Sequence, residues 1–228
     1  MKSNVLVVVA HPDDEVLGCG GTIARLAKAG HDIYTLILGE GVTARDNTRN
    51  RNKRQQEITD LKSEARAANK LLGVREVFFA DFPDNRFDTV ALLDVIKCVE
   101  KIKHETKAQI IFTHHAHDLN VDHQVAYKAV VTATRPLPGE PVKEVYSFEV
   151  PSSTEYSFPL KFSPNVFFDI SKTLALKQKA LEKYKTEIRP FPHPRSVKGI
   201  AIHAAAWGLK TGVAYAEPFE TVRVLRFS

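Results

Sequence analysis

Two short segments contain most of the side chains that could do chemistry. Residues 11–15 read His-Pro-Asp-Asp-Glu, and residues 114–123 read His-His-Ala-His-Asp-Leu-Asn-Val-Asp-His. Imidazole and carboxylate ligands together suit zinc or another first-row divalent metal, and three protein ligands with one open position are typical of catalytic zinc. A bound cation would also relieve the repulsion within the acidic cluster. We expect a metal site here, with a solvated acidic turn as the alternative.

The elements that must position these segments follow from hydrophobic periodicity. Residues 5–10 are continuously apolar and mostly β-branched, which is typical of a strand buried on both faces of a parallel sheet. Further strands are predicted at 33–38, 77–80 and 110–113, alternating with helices at 22–28, 58–72, 90–102 and 121–134. This alternation predicts an α/β fold, Rossmann-like, with a mostly parallel sheet and helices on both faces. The segments at residues 11–15 and 114–123 would then both lie at the carboxyl edge of the sheet.

The pattern is less regular after about residue 135. Strands are predicted at 142–150 and 220–225, and helices at 171–187, with Ser171 as a cap, and at 196–207. Residues 166–168 are interpreted simply as core. No linker is long enough to require a second domain, so we expect one domain over residues 1–228, with a Rossmann-like core at 1–135 and an extension at 136–228.

Composition excludes several classes of protein. The chain has 228 residues, 43% of them hydrophobic, which is incompatible with dominant disorder. Two cysteines cannot form a disulfide framework and favour the cytoplasm. We expect no membrane span, since no apolar run approaches the roughly 18 residues that one requires. The net charge of +5 permits an anionic substrate without indicating nucleic acid.

A basic segment at residues 45–54 and a glycine cluster at residues 18–21 allow two readings each. The basic segment contains five Lys or Arg residues and one Asp, so it is either a solvated loop or a mobile lid that meets an anionic substrate. The glycine cluster lacks the G-x-G-x-x-G spacing of a dinucleotide site and follows carboxylates that would repel a pyrophosphate. We therefore interpret these glycines as allowing a helix to pack closely on the sheet.

These motifs resemble those of a known family. Residues 10–15, followed by Gly-Gly-Thr at 20–22, are similar to the first motif of the PIG-L/LmbE-like zinc-dependent N-acetylglucosaminyl de-N-acetylases. Residues 118–123 resemble the second metal motif of that family, and residues 191–196 and 214–219 resemble later segments. The resemblance covers essentially the whole chain. It implies a hydrolase that removes the N-acetyl group from an amino sugar and releases acetate.

The resemblance also implies roles for individual residues. It makes His11, Asp14 and His123 the zinc ligands and Asp13 the general base that takes a proton from the attacking water. Adjacent residues in a turn can point in different directions, so Asp14 can bind metal while Asp13 faces the water.

One position departs from the family pattern. Several relatives have a His three residues before the last ligand, where it stabilises the tetrahedral intermediate, and this chain has Asn120. Either Asn120 donates that hydrogen bond, or His115 or His117 serves instead. Three further residues are candidates for substrate binding, each with a turn or a docked loop as the alternative: Arg86, His193 and Arg195.

Two other functions stay open at this point. One is a metal-dependent glycosyltransferase or phosphohydrolase, which oxygen-only ligation would favour. The other is a non-catalytic sugar or nucleotide binder, because a fold does not determine a function. The expected partner is an N-acetylated sugar or glycoconjugate, with the basic segment favouring an anionic one. Relatives often form symmetric oligomers, so a homo-oligomer is also an expectation.

Overall fold

The protein folds around one seven-stranded sheet. The computed structural model describes residues 2–226. Its elements are β1 (Asn4–Val9), α1 (Asp14–Lys28), β2 (Asp32–Gly39), α2 (Gln55–Leu72), β3 (Glu76–Phe82), α3 (Leu92–Thr106), β4 (Ile110–His114), α4 (Val121–Ala133), β5 (Glu144–Phe148), β6 (Val166–Asp169), α5 (Leu174–Leu181), α6 (Val197–Thr211) and β7 (Ala216–Val224). The strand order is β3-β2-β1-β4-β5-β7-β6. Strands β1 to β5 are parallel and β7 is antiparallel to both neighbours, which confirms the predicted fold class.

Strand β1 is buried on both faces, as its composition predicts. Val5, Val7 and Val9 pack into the core on one side of the sheet. Leu6 and Val8 pack into the core on the other side. Each core is covered by helices, so a central strand in this position has no solvent-facing side and no position for a polar residue.

Helix α1 starts at Asp14, eight residues before the predicted start at Thr22. The predicted start was wrong because it rested on the apolar spacing that begins at Ile23, whereas the glycines lie within the helix and only Cys19 has non-helical dihedrals. A Cβ on Gly18 would lie 2.2 Å from the ring of Phe148. The close packing expected of these glycines is therefore confirmed.

The C-terminal part extends the same sheet, with three differences from the prediction. Residues 166–168 belong to the edge strand β6, whose side chains alternate between half-buried and exposed. The helix predicted at 171–187 is shorter, because α5 covers only Leu174–Leu181 and turns follow it. Ser171 is not its cap, since the N-cap is Thr173, whose hydroxyl donates to the carbonyl of Gly21. None of the helices in the described range is long and apolar enough to cross a membrane.

Candidate active site

Three side chains from two strand ends meet at the carboxyl edge of the sheet. His11 and Asp14 follow β1, and His123 lies in the first turn of α4 after β4. Oδ2 of Asp14 is 3.4 Å from Nδ1 of His11 and 3.3 Å from Nε2 of His123. Ligands on a tetrahedral ion with bonds of about 2.0–2.1 Å are separated by about 3.3 Å. The spacing and the donor atoms of this triad therefore fit zinc or a similar divalent ion.

The outward nitrogen of each triad histidine faces a second carboxylate. Nε2 of His11 is 2.9 Å from Oδ2 of Asp122, and Nδ1 of His123 is 3.1 Å from Oδ1 of Asp118. Such carboxylates fix the ring orientation and tautomer of a metal-bound histidine. Neither Asp is assigned a role from the sequence, although both are acidic residues within five positions of His123.

A second group, formed by His11, Asp84 and Asp122, also has ligand atoms close enough to hold an ion. This group is less suited to binding a metal ion, because Asp122 already accepts backbone N–H bonds from Asn85 at 2.7 Å and Phe87 at 2.9 Å. Together with the contact to His11, these bonds engage both of its oxygens. Asp122 is therefore placed to support His11, and Nδ1 of His11 is the atom that would face a bound ion.

The charges of the triad are arranged for a cation. Burial lowers the pKa of His123, but Asp14 and Asp118 raise it more, and the net pKa is about 9. Burial likewise opposes protonation of His11, yet its carboxylate neighbours hold its pKa well above the usual value. Burial raises the pKa of Asp14, but the neighbouring histidines lower it by more. The net pKa lies well below the usual value, so Asp14 stays ionised. Without a metal, protons on the imidazoles supply the positive charge that the site requires.

His114 lies beneath the triad and was not singled out from sequence. It is the last residue of β4, is fully buried, and stacks on His123 with ring centroids 3.9 Å apart. Its Nε2 accepts the backbone N–H of Ala10 at 2.8 Å. Burial lowers its pKa to about 3, and His123 lowers it as well. His114 is therefore a neutral packing residue that holds the end of β1 against His123.

Asp13 lines the same cleft as the triad and contacts Arg195 from the C-terminal part of the chain. Its backbone has φ of 105°, in the left-handed region, which separates its side chain from that of Asp14. Oδ2 of Asp13 accepts a hydrogen bond from Arg195 at 3.3 Å. Strained backbone of this kind costs on the order of 1–3 kcal/mol and clusters at active sites. Burial and the charge of Asp14 raise the pKa of Asp13 well above the usual value, whereas Arg195 lowers it.

A buried hydrogen-bond network supports this turn. One oxygen of Glu15 accepts from the hydroxyl of Tyr184 at 2.5 Å and from Asn69 at 2.9 Å. The other oxygen accepts the backbone N–H of Asp13 at 3.2 Å. Burial raises the pKa of Glu15 to about 7, although the Tyr184 hydroxyl and the backbone N–H of Asp13 lower it. Glu15 therefore stabilises the backbone of Asp13 and does not face the triad.

Of the three candidates for the oxyanion stabiliser, only Asn120 lines the cleft above the triad. Its Oδ1 caps α4 by accepting from the N–H of Asp122, and its Nδ2 donates to Asn85. The amide has a second N–H that can point into the cleft. His115 instead pairs with Glu220 at 2.7 Å, and His117 is exposed outside the cleft.

The cleft has a volume of about 310 Å³ and is lined by polar and charged side chains. Arg195 lines it, as expected of a substrate-binding residue. Arg86 and His193 do not; Asn85 lines it next to Arg86, and Nδ1 of His193 accepts the backbone N–H of Arg195 at 3.1 Å. The other charged lining residues from the C-terminal part, missed in the sequence, are Glu187 and Arg189.

Comparison with known proteins assigns this site to a family. The family model described as PIG-L, GlcNAc-PI de-N-acetylase, matches residues 6–134. The chain belongs to the PIG-L family. The match spans both strand ends that form the triad, so the resemblance seen in the motifs is confirmed.

Relatives of this PIG-L family member include named deacetylases. The uncharacterized deacetylase YaiS of Escherichia coli strain K12 is 31% identical, over 81% of this chain and 92% of that protein. A probable N-acetyl-alpha-D-glucosaminyl L-malate deacetylase 2 of Bacillus cereus is 26% identical, over 82% and 84%. The crystal structure of GalB, a 4-carboxy-2-hydroxymuconate hydratase from Pseudomonas putida KT2440, has a TM-score of 0.76 at 23% identity, covering 100% and 99% of the chains. The last similarity concerns the fold alone.

Proposed function

We propose that the protein is a metal-dependent hydrolase that removes the N-acetyl group from an amino sugar or its conjugate. The observation that carries this proposal is the convergence of the triad (His11, Asp14, His123) and the buried Asp13 in one cleft. The deacetylase relatives support the same reaction. Zinc is the proposed ion because two imidazoles and one carboxylate form the donor set.

The proposed reaction assigns a task to each residue of the cleft. When bound, the ion would acidify a water molecule and polarise the amide carbonyl. Asp13 takes the proton of the attacking water, and burial makes it a stronger base by raising its pKa. Arg195 holds the Asp13 carboxylate in place, while Asn120 donates to the carbonyl oxygen as negative charge develops there. As the C–N bond breaks, Asp13 returns the proton to the departing amine, leaving acetate and a free amino sugar.

Two other sequence candidates have supporting tasks in this proposal. His193 positions Arg195 through the backbone bond described above. Arg86 lies outside the lining of the cleft, so it would contact only a substrate that extends beyond the cleft. A cytoplasmic location and a homo-oligomeric state stay predictions from the sequence.

The test combines metal analysis with acetate release from N-acetylglucosamine and simple glycosides of it. Asp13→Asn should bind metal normally and release acetate about 10²–10⁴-fold more slowly, the usual contribution of a general base. His123→Ala should lose the metal, whereas the matched variant His117→Ala, at an exposed histidine outside the cleft, should keep both metal and activity.

The fold is shared with a hydratase, so the outcome must discriminate between reactions. Metal bound by the wild type without acetate release from any amide would reject the deacetylase proposal in favour of hydration or phosphate chemistry. No metal bound after reconstitution would reject the metal-dependent mechanism itself.

A further inference from the structure

The basic segment at residues 45–54 is largely neutralised by acids of the same chain. Arg49 donates to both oxygens of the buried Glu40, at 2.8 and 3.1 Å. Arg51 pairs with Asp81 at 2.8 Å and lies 3.5 Å from Glu40. These two arginines hold the segment against the carboxyl ends of β2 and β3, and their charges are balanced there.

The positive charges at the end of the segment are balanced in the same way. Lys53 pairs with Asp46 at 2.7 Å, and Arg54 pairs with Asp46 at 2.8 Å and with Glu57 at 2.6 Å. None of these side chains lines the cleft. The charge run that the sequence suggested as an anion-binding lid therefore serves mainly to fold the segment.

Arg45 is the member of the segment that lines the cleft. It pairs with Glu187 and lies 3.8 Å from Glu57. The other oxygen of Glu187 lies 3.8 Å from Arg195, the partner of Asp13. Glu187 therefore lies between two arginines, and with Glu57 beside Arg45 and Asp13 beside Arg195 the charges of both are balanced.

Arg189 adds a cation to this side that has no acidic partner. It is exposed and lines the cleft two residues beyond Glu187. Its Nη1 donates to the carbonyls of Thr186 at 2.7 Å and Ile188 at 3.3 Å. Within residues 2–226 no carboxylate lies within 4 Å of its guanidinium, and its other N–H donors have no partner.

The cleft is consequently divided by charge. Its buried floor holds the carboxylates Asp13, Asp14 and Asp84 beside the triad histidines. Its exposed mouth holds Arg189, with Arg45 in contact with Glu187 nearby. A substrate that places a neutral acetamide at the floor would present its other substituents to the cationic mouth.

We propose that Arg189, together with Arg45, binds an anionic substituent of the substrate. The substrate class is then an N-acetylated amino sugar that carries a phosphate or a carboxylate outside the sugar ring. This inference rests on the proposed function. A planar guanidinium with unpaired donors binds either anion through two parallel hydrogen bonds, and both anions share this chemistry.

The test compares three N-acetylglucosamine derivatives that differ in the charge of the group at the anomeric carbon. Methyl N-acetylglucosaminide is neutral, its carboxymethyl counterpart carries a carboxylate, and N-acetylglucosamine 1-phosphate carries a phosphate. The wild type should turn over at least one anionic compound with a KM about tenfold lower than that of the neutral one, as expected for a charge-assisted bond. Arg189→Gln should raise that KM about tenfold, with kcat within about twofold and the neutral substrate unaffected.

Controls separate recognition from other effects of the substitution. Arg189→Lys should recover only part of the affinity, because lysine keeps the charge and loses the paired donors. Arg75→Gln removes an exposed arginine that pairs with Asp32 outside the cleft and should change nothing. Equal KM values for charged and neutral compounds in the wild type would overturn the inference, as would an equal loss on all three compounds in Arg189→Gln.

A binding measurement separates failure of this inference from failure of the proposed function. Calorimetry with Asp13→Asn should show tighter binding of an anionic compound than of the neutral one, and Asp13→Asn/Arg189→Gln should abolish the difference. If the preference is seen and the wild type releases no acetate, the anion site stands and the deacetylase proposal fails. If acetate is released and no preference is seen, the anion site is refuted alone.

Discussion

Replacing Lys177 with methionine should destabilise the protein strongly, because it leaves a buried charge without a partner. Nζ of Lys177 lies 2.6 Å from Oε1 of Glu217 and donates to the carbonyl of Leu17 at 2.8 Å. Glu217 also accepts the backbone N–H bonds of Gly21 at 2.9 Å and Thr22 at 2.6 Å. The pair thus connects β7 and α5 to α1, just after the irregular Cys19, in the helix that presents Asp14.

The magnitude follows from burial. Both side chains of the pair are only 3% exposed. Removing one partner of such a pair typically costs about 3–5 kcal/mol. In a chain of this size each kcal/mol lowers Tm by about 2–4 °C, so we expect Lys177→Met to lower Tm by roughly 10 °C.

The assay is thermal unfolding by circular dichroism or calorimetry, with a matched surface pair as control. Lys97 lies 2.7 Å from Glu100, nearly the same distance, but its side chain is 66% exposed. Lys97→Met should lower Tm by less than about 4 °C, since exposed pairs contribute roughly 0–1 kcal/mol. Lys177→Met/Glu217→Gln should recover part of the loss, because the uncompensated charge is gone. Equal Tm changes for Lys177→Met and Lys97→Met would refute the reasoning.

Two further predictions concern pH and packing. Protein stripped of metal should lose stability as the pH rises from about 6.5 to 9, because His123 has a folded pKa of about 9 against 6.5 unfolded. The stabilisation is complete below pH 6.5 and amounts to about 3 kcal/mol, measurable by urea unfolding across this range; a flat profile would contradict it. Gly18→Ala should cost about 1–3 kcal/mol because the new methyl meets Phe148 at 2.2 Å. Gly20→Ala should stay within about 1 kcal/mol of wild type, because its nearest contact, Cγ of Lys177 at 3.3 Å, has to shift by only a few tenths of an ångström. Equal costs for Gly18→Ala and Gly20→Ala in urea unfolding would show that the ring of Phe148 moves aside.

The predictable part of the site follows from the parallel sheet. Strand β1 is apolar over its whole length because both of its faces are covered, and this run is visible in the sequence. A loop of polar side chains that directly follows such a strand has to lie at the carboxyl edge of the sheet. The same argument applied to β4 brings residues 11–15 and 114–123 together without knowledge of the coordinates.

The start of α1 and the length of α5 were less predictable. Glycines at 18, 20 and 21 lower local helix propensity, and the helix forms because its neighbours pack directly on the glycine backbone. The polar run after Leu181 has helical composition, yet the backbone there turns and brings the fully buried Tyr184 to Glu15. Tertiary contacts outweigh local preference at both places.

By itself the sequence determined the α/β class, the edge of the sheet that holds the site, and the residue types available for a metal. Tertiary structure decided which atoms meet. Arg195 reaches Asp13 across 182 positions and Arg45 reaches Glu187 across 142, and periodicity has no information at such separations. The same limit applies to charge. A basic run is visible in sequence, but only the folded chain shows which cations are paired with acids and that Arg189 is not.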